Sequence, residues 1–190
     1  MPRLIFITHP EVIVDPLVPI ERWRLSETGV RRMEAFAEDP VAAGVTAIWS
    51  SAETKAREAA AILASRLGLA VEVERRLGEN DRSATGFLPP EEFERAADAF
   101  FAEPTKSFRG WERAVDAQQR IVTAVNDVLE AHIGGDVAIV AHGGVGALLL
   151  CALLDRAISR DMDQPSQGHY WVATLPDLRV EHGWRPIAPR

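Results

Sequence analysis

At 190 residues, with 47% hydrophobic and 26% charged residues, the chain fits one domain with a full core, and its composition excludes disordered and membrane classes. A net charge of −7 argues against non-specific nucleic-acid binding, which clustered Lys and Arg supply. No run approaches a membrane span, and the chain opens on a strand instead of an export segment, so a cytoplasmic location is expected.

Residues 3–8 read as a buried strand that closes at His9. Residues 10–23, punctuated by Pro16 and Pro19, form a loop expected to rim a site. Ser26 is placed as a helix N-cap, with Val30, Met33, Phe36 and Ala37 following on one face. A second strand spans 45–49. A helix rich in Ala, Leu, Glu, Lys and Arg follows over 53–67, with Gly68 where a C-terminal glycine belongs. The alternation over 71–74 predicts a third strand near a sheet edge. From 77 to 108 the pattern weakens at Gly86 and Pro89-Pro90, with a helix over 91–102, and this segment reads as an insertion or lid over the site. A long amphipathic helix over 111–132 carries Ala114, Ile121, Val125, Val128 and Leu129 on one stripe and closes at Gly134-Gly135. Residues 136–141 form a strand ending at His142. An apolar helix over 145–154 contains the only cysteine, Cys151, read as a buried structural thiol. Residues 169–175 and 178–181, parted by Pro176-Asp177, predict a terminal hairpin. The expectation is an α/β fold, a three-layer α/β/α sandwich around a mostly parallel sheet, with residues 1–190 as one domain.

His9 and His142 therefore stand at the ends of two buried strands. Parallel sheets bind ligands beyond the carboxyl ends of their strands. If the two strands are neighbours, both imidazoles face one crevice, where one can attack phosphorus and the other can hold charge.

The segments Thr8-His9-Pro10, Ser50-Ser51-Ala52-Glu53-Thr54-Lys55-Ala56-Arg57-Glu58-Ala59-Ala60 and Ala141-His142-Gly143-Gly144 resemble, in order and spacing, the histidine phosphatase (phosphoglycerate mutase-like) superfamily. Nearly the whole chain is covered by the resemblance. The family's usual motifs are Arg-His-Gly, Ser-Ser-x-x-x-Arg-Ala-x-x-Thr-Ala, and a small residue followed by His-Gly. Both histidines are kept. The chain departs at Thr8, at Pro10 and at Lys55, which stand where that family has arginine, glycine and arginine.

The resemblance implies His9 as nucleophile, His142 as charge stabiliser and Glu79 as general acid and then base, with Asp81 as the rival. Thr8, Lys55, Arg57 and Gly143 would bind phosphate, and Arg22, Arg24, Arg82 and Arg57 are candidates to compensate for the missing arginines. An imidazole attacks well only when unprotonated and fixed in direction, which asks its other N–H to donate to a nearby acceptor. Pro10 fixes φ and deletes a backbone donor. His132, His169 and His182 are explained by a helix end and the hairpin. With no metal-ligand spacing, Walker loop or Gly-x-Gly-x-x-Gly, no metal or cofactor is expected.

The function expected is a metal-independent phosphomonoesterase acting through a phosphohistidine on a small phosphorylated metabolite, with no nucleic-acid or membrane partner. A second reading is a degenerate member that binds a phosphorylated or anionic ligand without turnover, motivated by Thr8, Pro10 and Lys55. A mutase that returns the phosphate to a bound product ranks third. Trp23, Phe87, Phe93 and Trp111 either wall a pocket for a bulky organic phosphate or pack the core and lid.

Overall fold

The computed structural model describes residues 1–189. Six strands form one sheet: β1 (Arg3–Thr8), β2 (Val45–Ser50), β3 (Val71–Val73), β4 (Asp136–Ala141), β5 (His169–Thr174) and β6 (Arg179–Pro186). Their spatial order is β3-β2-β4-β1-β5-β6. The first four pair in parallel, and β5 and β6 add an antiparallel hairpin at the β1 edge. Side chains alternate across the central strands, as the pleat requires. Ile5, Ile7, Ala138 and Val140 face one side, where they pack with Met33 and Phe36 of α1 (Glu27–Ala37) and Ala59 and Leu63 of α2 (Thr54–Leu67). Leu4, Phe6, Val137 and Ile139 face the other.

That second face is covered by α4 (Ala114–Glu130), through Ile121, Val125 and Val128, and by α5 (Gly143–Leu153), through Val145 and Leu149. The remaining helix, α3 (Pro90–Ala102), lies outside this layer, where Ala96 and Phe100 meet Trp111, Ala117 and Leu148. An α/β sandwich with a terminal hairpin results, as the strand and helix patterning predicts.

Local chemistry sets the element ends. Ser26 caps α1 by accepting from the Gly29 N–H at 3.1 Å. Gly68 ends α2 at φ 68°, the left-handed region that costs other residues a steric penalty. Besides shifts of one or two residues elsewhere, three boundaries differ from the sequence reading for reasons the structure shows. The helix expected over 111–132 begins only at Ala114, because Arg109 and Gly110 both have positive φ and turn the chain first, leaving Trp111 buried outside the helix. Glu53 precedes α2 in extended conformation because its carboxylate is engaged elsewhere. The last strand continues to Pro186 because irregular pairing lets it follow β5 along its length.

Phe6 and Trp171 stack at 5.0 Å between centroids, nearly parallel, both fully buried between the sheet and α5. Phe6→Ala is expected to cost about 3–5 kcal/mol through lost transfer energy and a cavity. Urea denaturation measures this, and a loss below about 1 kcal/mol would show that the core repacks around the gap.

Candidate active site

The register of β1 against β4 brings the two histidines together. Thr8 pairs with Ala141 in the last rung, and the His9 N–H donates to the Ala141 carbonyl at 3.1 Å, so His9 and His142 leave adjacent strands side by side. Their ring centroids lie 5.3 Å apart at 65°. The His9 ring nitrogen Nδ1 is 2.9 Å from the Pro10 carbonyl. A carbonyl only accepts, so Nδ1 carries the proton and Nε2 holds the lone pair. Burial, reinforced by the charges of His142 and Lys55, pushes the His9 pKa down to about 3, so the ring is neutral at pH 7.

His142 is fully buried. Its Nε2 meets Ser51 Oγ at 2.7 Å and Glu53 Oε1 at 3.3 Å. Both contacts fall on the same nitrogen, so this is not a serine nucleophile relayed through imidazole to a carboxylate, which needs one contact on each ring nitrogen. Facing a carboxylate, Nε2 bears the proton. Nδ1 is buried without a hydrogen-bond partner among the described residues. Burial pushes His142 down to about 4, against the opposing pull of Glu53.

Glu53 is a site residue that sequence reasoning missed. Standing just outside α2, its carboxylate accepts from Lys55 Nζ at 2.5 Å and from the Glu79 N–H at 3.0 Å, besides facing His142. Burial would raise its pKa, but the pull of His142 and Lys55 and these hydrogen bonds hold it at about 2. The signal for it was an acidic residue set between Ser51 and Lys55 in the second motif.

Lys55 is 3% exposed, and its ammonium is divided between Glu53 and the Ile20 carbonyl at 2.8 Å. It neutralises Glu53 and ties the 10–23 loop to the site. Thr8 is also internally engaged. Its hydroxyl lies 2.6 Å from Gln164 Oε1 and accepts from the His169 N–H at 3.0 Å, so its one proton is directed at protein oxygens.

Glu79 lies at the N-terminus of α5. Its carboxylate accepts from the N–H groups of Gly144, Val145 and Asn80 at 3.0 to 3.1 Å. A helix N-terminus favours negative charge there. A Cβ on Gly144 would stand 2.7 Å from Glu79 Oε1, so glycine is what admits the carboxylate. Arg120 holds the loop that carries Glu79 by donating to the carbonyls of Arg76, Gly78 and Glu79. Asp81 instead accepts from the Ser83 N–H, outside the histidine cavity.

A cavity of about 360 Å³ opens over His9, lined by Glu79, Asn80, Arg82, Phe93, Trp111 and Gly143 among others. The Arg82 guanidinium lies over the rings of Phe93 and Trp111, 4.9 and 5.9 Å from their centroids. Three other candidate cations lie elsewhere. Arg57 is exposed and lines an outer depression with Thr54, Glu58 and Val71. Arg24 pairs with Glu58, and Arg22 is exposed on the turn Ile20–Arg22, outside the histidine cavity. The segment after α5, unassigned in the sequence reading because it has no periodicity, contributes Asp163 and Gln164 to the wall. Burial pushes the Asp163 carboxyl up to about 6, and the nearby charge of Glu79 adds to this. Among the described residues no group of His, Cys, Asp and Glu is arranged to hold a metal ion, and no helix is long and apolar enough to cross a membrane.

The profile of the histidine phosphatase superfamily (branch 1) matches residues 21–173. No curated protein matches the chain. Among solved structures, a mycobacterial glucosyl-3-phosphoglycerate phosphatase with inorganic phosphate is similar at TM-score 0.81 and 23% identity, over 98% of this chain and 99% of that one. YhfR of Bacillus stearothermophilus reaches 0.81 at 22% identity, over 96% and 95%. Phosphoserine phosphatase of Entamoeba histolytica, in complex with 3-phosphoglyceric acid, reaches 0.78 at 14%, over 97% and 98%. At these identities the likeness is one of fold.

The buried histidines fix a pH dependence of stability. Their folded pKa values lie below the ordinary value near 6.5, so between pH 6.5 and about 4 the unfolded chain binds protons that the native site refuses. Stability is therefore complete above that window and is lost as pH falls through it. At pH 5 the loss is about 2 kcal/mol per histidine. Urea denaturation at pH 7.5 and 5.0 should show this difference in the native protein and most of it removed in His9→Gln/His142→Gln. A pH-independent native protein would contradict the buried, neutral assignment.

Proposed function

The chain belongs to the histidine phosphatase superfamily, branch 1, and on that premise we propose that it is a metal-independent phosphomonoesterase working through a phosphohistidine at His9. The observation that carries this reading is the Nδ1 contact with the Pro10 carbonyl, which leaves the Nε2 lone pair of a neutral ring as nucleophile at a cavity wall. Nε2 attacks phosphorus as the ester P–O bond breaks.

A phosphoryl dianion beside the rings favours the imidazolium form of His142, and protonation then falls on the unpartnered Nδ1, making it a donor. Arg82 and the N-terminus of α5 at Gly143 supply further positive potential. Three N–H groups fix the Glu79 carboxylate at the cavity wall, where it is placed to activate the water that hydrolyses the phosphohistidine. Asp163, with its raised pKa, is matched to carry the proton that the departing alkoxide takes up. Residues 77–108, which supply Arg82 and Phe93, act as the lid in this reading, over one domain of 1–190.

One observation favours the second reading, a binding protein without turnover. Lys55 and two α5 N–H groups, the donors expected for phosphate, are already engaged by Glu53 and Glu79. Trapping by an alkaline detergent quench with a radiolabelled aryl phosphate in excess chelator separates the two. A phosphohistidine that is absent in His9→Ala supports the phosphatase. Glu79→Gln should slow its hydrolysis by roughly 10²–10⁴ so that it accumulates, and Asp163→Asn should slow its formation from alkyl esters. Ligand binding with no phosphoenzyme, or turnover restored only by a divalent ion, would overturn the proposal.

A further inference from the structure

A second, larger depression of about 580 Å³ opens beside the histidine cavity and shares Glu79, Asn80 and Arg82 with it. We propose that it is the leaving-group subsite and takes the apolar, uncharged alcohol portion of a phosphomonoester whose phosphoryl group lies against His9, a specificity that rests on the phosphatase reading. Its size falls within the range of small-molecule sites.

It is lined by the aliphatic run Pro16-Leu17-Val18-Pro19-Ile20 and by Gly86 with Phe87. Leu17, 93% exposed, is among the lining residues, and an apolar ligand seated there would cover it. The wall is held in place before any ligand arrives. Trp23, 6.0 Å from Phe87 between centroids, donates its indole N–H to the Asp15 and Val18 carbonyls at 2.9 and 3.0 Å, and Lys55 anchors Ile20. A preformed wall binds with a smaller ordering cost.

Charge determines what the subsite refuses. Glu21, Glu79 and Asp81 line it, besides the Glu53 that Lys55 neutralises, and the one cation among its lining residues is Arg82, whose guanidinium lies over Phe93 and Trp111 of the neighbouring cavity. A carboxylate or second phosphate on the leaving group would meet repulsion in a partly desolvated space. At the boundary, Asn80 is 7% exposed and its amide Nδ2 has no hydrogen-bond partner among the described residues. A buried donor without an acceptor is costly, and an ester or phosphoryl oxygen at this boundary would supply the acceptor.

Titration calorimetry with non-hydrolysable phosphonates tests the subsite. 1-Naphthylmethylphosphonate should bind at least ~10-fold more tightly than methylphosphonate, and 3-carboxypropylphosphonate no more tightly than methylphosphonate. Leu17→Asp and Phe87→Asp, each checked for native circular dichroism, should erase the naphthyl advantage. Equal or tighter binding of the carboxypropyl compound, no naphthyl advantage, or no binding of any phosphonate would overturn the proposal. Phosphorylation of the native protein by phosphoramidate, which has no bulky leaving group, reads the phosphatase chemistry separately. A naphthyl preference without phosphohistidine leaves the pocket standing and removes the phosphatase. Phosphohistidine without a naphthyl preference removes the pocket alone.

Discussion

The parallel pairing of β1 with β4 is the constraint on which the site depends. Leu4 through Thr8 run in register with Val137 through Ala141, every one of these side chains is buried, and the two strands therefore end at the same level. A slip by one residue would turn Phe6 and Ile139 to the opposite layer, so the core itself enforces the register. The histidines lie just past this last rung, where the His9 N–H still bonds to Ala141 while Pro10 turns the chain and presents its carbonyl to the ring. Pro10 thus supplies, through its carbonyl, the acceptor that selects the His9 tautomer.

Electrostatics at the site follow from burial more than from a surplus of cations. Both rings are kept neutral, and the buried lysine is matched by Glu53. The helix N-terminus is matched by Glu79. Anions inside the protein thus hold positions that would otherwise attract an anion from outside. In the proposed reading, a phosphoryl group entering this site gains from Arg82 and from protonation of His142, and the surrounding carboxylates act on the charge of the leaving group. In the same reading the lid, residues 77–108, contributes Arg82 and Phe93, with Trp111 standing just past it.

Much of the fold was legible in the sequence because buried strands, the Ser26 cap and Gly68 are local signals with single explanations. The helix over 114–130 was legible for the same reason, and its start was misplaced because a positive φ at Arg109 leaves no composition trace. The pairing of His9 with His142 could be read from strand ends. The environment of Lys55 could not, since it depends on a carboxylate two residues earlier being released from the helix and on a carbonyl 35 residues away. Asp163 and Gln164 were invisible because the segment between α5 and β5 has no repeat to read, and only the folded chain shows it closing the cavity wall.

The claim that everything else rests on is the state of the His9 ring. Long-range ¹H–¹⁵N correlation spectra of the imidazoles, assigned with His9→Gln, report tautomer and charge directly. The account predicts a neutral His9 ring protonated at Nδ1 and unprotonated at Nε2 at pH 7, with the same pattern at pH 5. An imidazolium, or a ring protonated at Nε2 with its lone pair on Nδ1, would contradict it, because His9 would then have no nucleophile to offer phosphorus.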